Sequence, residues 1–378
     1  MVKRSLVILI VLLSLICFTV NISASESQMP NEYEDLLQEL PDDIAELLPE
    51  ELFSSDFNEI IKGIKELSGW EYIINIIFDI VGLNLKDVLK VLAVICSILV
   101  ITSTINAMRD TFKNEATNKV LQIICGIVFV MSIIELSREP LAKTVSLLDN
   151  MRLFINTLSP LICSMYAMGG NVSSALVSNF GMIVFLTIFD NICVIALEII
   201  LNVCISITLA STFLGESNLT SLSSAIKKGF TFFIGLLMLV FTTVISTQSL
   251  LASKADTLTS KTAKMLASQM IPLVGGTVGE SLRTAGASIE YLRSSVGVLL
   301  VIVLFLIILP TLISIFLYRT ALILSNAVAG LLGCGKEGGM LIELSSIYGY
   351  VLAILSICTI GLLFLITIFA KSASPLRL

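Results

Sequence analysis

Histidine is absent from the 378 residues, tryptophan occurs once, and only 14% of the side chains are charged. Without histidine there is no Ser-His-Asp or Cys-His nucleophile and no His-ligated metal. Ordinary soluble domains carry about 25% charged residues, so this scarcity excludes one. No basic block is present and the isoelectric point is near 4.9, which argues against a nucleic-acid-binding tail. The eight cysteines include no C-x-x-C pair. Cys96, Cys125, Cys193, Cys204 and Cys358 lie in apolar runs and read as small buried hydrophobes. What the chain has in abundance is apolar surface: 56% hydrophobic residues and a mean hydropathy of +0.98. The fold class read from this is all-α, a polytopic helical membrane protein.

The net charge of −6 hides two regions of opposite sign. Between Glu26 and Glu71 there are 14 acidic residues against Lys62 and Lys65, a balance of −12, which leaves +6 on the remainder. Ahead of this acidic head, Lys3 and Arg4 precede an apolar run over 6–18 and the small residues Ser23, Ala24 and Ser25. That order reads as a cleavable secretory signal peptide over residues 1–25, with an uncleaved anchor as the alternative. The head, residues 26–87, is then expected outside the cytoplasm. Its leucines and isoleucines, among them Leu37, Leu48 and Ile60, recur around Pro41 and Pro49 at helical spacing. They suit docking on a partner or packing on the protein's own surface.

Residues 88–378 form the membrane domain. A crossing helix needs about 20 apolar residues, and the runs at 88–108, 120–137, 183–205, 229–250, 295–318 and 346–370 give about six spans. Starting outside, the first span delivers Arg109, Lys113 and Lys119 to the cytoplasm, and Lys227 and Lys228 also fall inside, as the positive-inside rule asks. Lys254, Lys261, Lys264, Arg283 and Arg293 fall outside and conflict with it. A weak internal duplication relates 120–228 to 229–370. In each half a proline precedes a double glycine: Pro160 with Gly169 and Gly170, and Pro272 with Gly275 and Gly276. These are candidate re-entrant or hinge segments, because broken backbone at membrane depth must line a cavity or be buried in protein. Interfacial loops are the alternative.

One stripe of polar residues stands out within the apolar runs. On a continuous helix Thr187, Asn191, Glu198 and Asn202 fall on one face, flanked by Asp190. A membrane carboxylate normally faces protein or water, so the stripe reads as a solute or proton path or as interhelical bonding. Gly330 to Lys336 has P-loop spacing, but Glu337 stands where Ser or Thr should hold magnesium, and a glycine hinge is the better reading. No catalytic constellation, cofactor site or metal cluster emerges, and an enzyme is not expected.

The stretch 255–293, ADTLTSKTAKMLASQMIPLVGGTVGESLRTAGASIEYLR, carries a resemblance together with SVGVLLVIVLFLIILPTLISIF and GLLGCGKEGGMLIELSS further on. With the leader and the exported head, the chain beyond about residue 70 resembles the stage III sporulation protein AE family. The resemblance implies an integral component of the mother-cell-to-forespore channel or feeding-tube apparatus, needed for late forespore sigma-G activity. It implies residence in the mother-cell membrane around the forespore. The implied partners are membrane lipid, the other stage III A-operon proteins (an ATPase, membrane components and ring-forming subunits) and the forespore protein Q. An autonomous permease using the Glu198 face, or a structural scaffold, remains the alternative from the residues themselves.

Overall fold

The computed structural model describes residues 33, 37–38, 48–54, 59–60, 62–63, 66, 70–109, 115–168, 172–188, 192–207, 210, 217–270 and 275–371. The leader, Asp190, Asn191, Gly169, Gly170 and Pro272 lie outside these residues. Among those described there is no strand. A 3-10 turn at Glu50–Phe53 precedes α1 (Trp70–Arg109), α2 (Glu115–Met168), α3 (Val172–Ile188), the short α4 (Val194–Glu198) with a π-helical turn at Ile199–Val203, α5 (Ser217–Met270), α6 (Gly275–Leu331) and α7 (Gly335–Lys371).

Hydropathy decides which helix sits where. In α6 the most apolar window is 83% buried and in α7 61%, against 22% in both α1 and α5. The rim helices bury one stripe and leave apolar residues such as Ile101 and Phe232 exposed on the other side. On α5 the buried positions are Ser223, Lys227, Ile234, Met238, Phe241, Ile245 and Ala252, returning every three, four or seven residues. The second half of α2 does the same from Leu147 through Met151, Leu158 and Met165. Packing accordingly runs α1–α6–α7–α5, with α2 closing against α1, α6 and α3, and α3 closing against α5.

The α6–α7 hairpin is fixed by a local signal. Gly333 has φ +71°, Gly333 N–H donates to Gly330 O at 3.4 Å and Cys334 N–H donates to Ala329 O at 2.9 Å. These 5→2 and 6→1 bonds make a Schellman cap, which satisfies the last carbonyls of α6 and requires the left-handed residue. Cys334 O then accepts from Gly338 N–H at 2.9 Å and starts α7. The run that imitates a P-loop is therefore a helix stop followed by a helix start. Ser103 Oγ on α1 donates to Leu332 O at 2.8 Å and ties the turn to the rim.

The six apolar runs led us to expect about six spans. Four helices are long and apolar enough to cross a membrane among the described residues: Ile74–Met108, Ser221–Ala255, Ser295–Leu331 and Gly335–Phe369. The run at 120–137 is the opening part of α2, which continues through Pro140 and Pro160 to 54 residues. The run at 183–205 falls in α3, α4 and the π-helical turn, with 189–191 outside the described residues. It begins as α3, antiparallel to the end of α2 (Asn179 Nδ2 to Cys163 Sγ, 3.3 Å), and finishes where Cys204 Sγ reaches Ser223 O at 3.9 Å. The expected boundary between head and membrane domain at 87/88 falls inside α1. The basic residues that conflicted with the charge rule belong to helical extensions: Lys261 and Lys264 beyond the apolar part of α5, Arg283 and Arg293 ahead of that of α6. They lie within the roughly 15–20 residues of span ends over which the rule counts charge, so the conflict with it stands.

The described parts of the head fold on themselves. Tyr33, Leu37, Leu48, Leu52 and Ile60 are buried, and Tyr33 OH donates to Leu52 O at 3.2 Å. Burial pushes the Tyr33 phenol above its ordinary range. An L-residue without glycine's freedom is penalised by about 1–2 kcal/mol in the left-handed region. Gly333→Ala should accordingly lower the midpoint of thermal unfolding in detergent, while Gly330→Ala, in open space on the helix, should not.

Candidate functional site: buried polar groups between the helices

Charged and hydrogen-bonding side chains inside this bundle are the exceptions to its apolar rule, and each is placed by a specific pair of helices. Lys227 on α5 is only 1% exposed. Its Nζ lies 3.0 Å from Glu343 Oε2 and 3.2 Å from Ser346 Oγ, both on α7, and 5.8 Å from the centre of the Tyr350 ring. A buried ammonium is tolerable only when paired and hydrogen-bonded. The Glu343 side chain is 29% exposed, so one end of the pair reaches the surface.

One helix over, Arg319 on α6 is 5% exposed and lies flat against α7. A Cβ at Gly349 would come within 2.9 Å of the Arg319 Cζ, so the guanidinium occupies the space of the missing side chain. The preceding Tyr318 meets Tyr348 edge-on with centroids 4.9 Å apart, and its hydroxyl shares a 3.1 Å hydrogen bond with Ser137 Oγ of α2. Farther from the hairpin turn, Lys143 of α2 joins three helices: Glu139 at 2.8 Å on its own helix, Asn84 Oδ1 at 3.2 Å on α1 and Ser314 Oγ at 3.4 Å on α6. These contacts give the interior its registers. Among the described residues no three His, Cys, Asp or Glu side chains come together as a metal site.

The residues singled out from sequence are not assembled in this way. Of the expected stripe, Asp190 and Asn191 lie outside the described residues, and the π-helical turn at Ile199–Val203 changes the angular step between Glu198 and Asn202. Thr187 is exposed and donates to Ile183 O at 2.9 Å within its own helix, and Asn202 is exposed. Glu198 is the last residue of α4. Pro160 lies inside α2 on its exposed side, and Gly169 and Gly170 of the same candidate segment lie outside the described residues. Gly275 and Gly276 are the first residues of α6. Sequence reading treated Lys227 only as a topology marker and passed over Glu343 and Arg319. The available signal was the same in each case: a charge within helical reach of an apolar window longer than any crossing needs.

Breaking a buried pair leaves one charge stranded, at about 2–5 kcal/mol. Lys227→Met and Glu343→Gln should each lower thermal stability in detergent, and the double variant Lys227→Met/Glu343→Met should recover most of the loss. A non-recovering double variant would mean that the lysine serves something besides its partner.

Comparison with known proteins gives one match. A family model described as stage III sporulation protein AE matches residues 53–373, reaching back into the head that the sequence resemblance left out. No curated protein and no solved structure matches the chain.

Proposed function

The chain belongs to the stage III sporulation protein AE family, and on that premise we propose that it is an integral membrane component of the mother-cell-to-forespore channel apparatus. The family gives it a role in sporulation and is not a family of known enzymes. The observation that carries the finer reading is the extent of the match, residues 53–373, over a helical bundle with four long apolar helices. In this reading the chain resides in the mother-cell membrane around the forespore. It assembles there with the other stage III A-operon proteins and faces forespore protein Q, in support of late forespore sigma-G activity. The leader exports the acidic head, and the duplicated halves, 120–228 and 229–370, supply matched helices to a membrane platform.

A second reading has one observation in its favour. The π-helical turn directly after Glu198 interrupts a passage through the bundle, and such turns are frequent at functional sites. An autonomous permease would use that break, with Glu198 coupling the flux.

Tagged protein should co-purify with its operon partners from sporulating cells, and its deletion should abolish a sigma-G-dependent reporter in the forespore. A normal reporter in the deletion strain would remove the channel reading. Flux into liposomes by the protein alone, lost in Glu198→Gln, would establish the permease in its place.

A further inference from the structure

Three of the described cysteines turn their sulfur to a backbone oxygen. Cys163 donates to Ala175 O at 3.8 Å, Cys204 to Ser223 O at 3.9 Å and Cys334 to Leu99 O at 3.6 Å. One pair does otherwise. Cys358 Sγ on α7 donates to Cys193 Sγ at 3.1 Å, across 165 residues of sequence, and both side chains are wholly buried. A thiol is a weak donor and sulfur a weak acceptor, so this contact gives the pair less than a carbonyl gives the others. It is also a tight contact. Non-bonded carbon atoms settle about 3.5–4.0 Å apart, and sulfur is larger than carbon. Both thiols are free, and an S–S bond of about 2.05 Å requires the two sulfurs to approach by about 1 Å.

The two sides of the contact are built differently. Around Cys358 the α7 helix is packed on every side. Gly361, one turn on, has Met238 of α5 and Phe185 of α3 pressed against it, and Leu355 and Leu362 are fully buried. Cys193 stands at the head of the five-residue α4, which runs directly into the π-helical turn at Ile199–Val203. Ile192 and Cys193 are π-helical as well. Such turns interrupt the regular hydrogen-bond ladder and are frequent at functional sites. The short α4 segment, rather than the long central helix, is therefore the side that closes the gap.

We propose that Cys193 and Cys358 are a disulfide-forming pair, oxidised by hydrogen peroxide, and that the bond fastens the α4 segment to the central helix α7. Complete burial selects the oxidant. A protein disulfide or a charged reagent is too large or too polar to reach either sulfur, whereas peroxide is small and uncharged and enters on local opening of α4. One cysteine sulfur attacks a peroxide oxygen. The O–O bond breaks, the thiol proton leaves with the departing hydroxide as water, and a sulfenic acid remains. The second sulfur attacks the sulfenic sulfur, the S–S bond forms as the S–O bond breaks, and the second thiol proton leaves in another water. The two thiols give up two electrons in all, and the peroxide accepts them. The nearness of the second thiol is what ends the sequence at a disulfide instead of at a higher oxide.

Membranes holding the full chain are treated with graded hydrogen peroxide, denatured in N-ethylmaleimide, digested with pepsin without reduction and read by mass spectrometry. The peptides carrying Cys193 and Cys358 should lose most of their maleimide adducts together. They should reappear as one linked species, lighter than their sum by two hydrogens and separated by dithiothreitol. Cys96 and Cys125, both more exposed, should keep their adducts at the same dose. Three results overturn the pairing: adducts retained on Cys193 and Cys358 at doses that oxidise Cys96, oxidation of the two without a link, or links to other cysteines. All three are read on the unaltered chain, so they stand whether or not a variant folds. The Cys193→Ser variant should give no linked species and carry a dimedone-trapped sulfenic acid at Cys358. Equal dimedone capture at Cys358 in the unaltered chain overturns the role of Cys193 as the second thiol.

Discussion

A helix that is apolar on every side can face water on none, and α6 imposes that condition on the whole chain. Every neighbouring helix is arranged to cover it: α7 folds back along its length, α1 and α2 lie against its other sides, and α5 and α3 close over α7. The shape of the rim helices follows. Each needs one apolar stripe inward and is free to vary outward, toward lipid in some stretches and toward water in others. The second half of α2 is the clearest case, apolar toward the core and dotted with Asp149 and Asn156 outside.

Within such a core, hydrophobic contact alone selects the register of neighbouring helices weakly, since leucine packs against leucine at many offsets. The few buried polar groups are discriminating. Lys227 finds both Glu343 and Ser346 at one offset of α5 on α7, and Tyr318 finds Ser137 at one offset of α6 on α2. Arg319 adds a steric condition, since its guanidinium fits only where α7 offers Gly349. Whether such groups generally confer specificity is system-dependent. Here they join four of the helix pairs that define the architecture.

Much of this organisation was legible in the amino-acid sequence, and the parts that were not have a common cause. Run length and hydropathy are local, so the all-α class and four of the spans could be read directly. The family was legible from contiguous segments such as 255–293, and the glycine-rich turn from Gly333 alone. Pairings are not local: Lys227 and Glu343 stand 116 residues apart, and neither residue carries a mark of the other. The polar stripe at Thr187 and Asn202 was drawn with a fixed angular step, which the π-helical turn at Ile199–Val203 changes. A proline is a strong breaker in an isolated helix, but at an exposed position of α2, with Leu158, Leu161 and Ile162 packed inward around it, the helix continues past Pro160.

The hairpin turn at Gly333 has a consequence for biogenesis. It follows α1 to α5 in the sequence, so the two helices that form the centre are made after the helices that surround them. Until then α1, α2, α3 and α5 are a shell without a filling, with Lys143 lacking Ser314 and Lys227 lacking Glu343 and Ser346. The bundle is therefore completed from the inside by helices made after its rim, and a chain stopped before α6 would present its inward stripes and unanswered charges to whatever else the membrane holds.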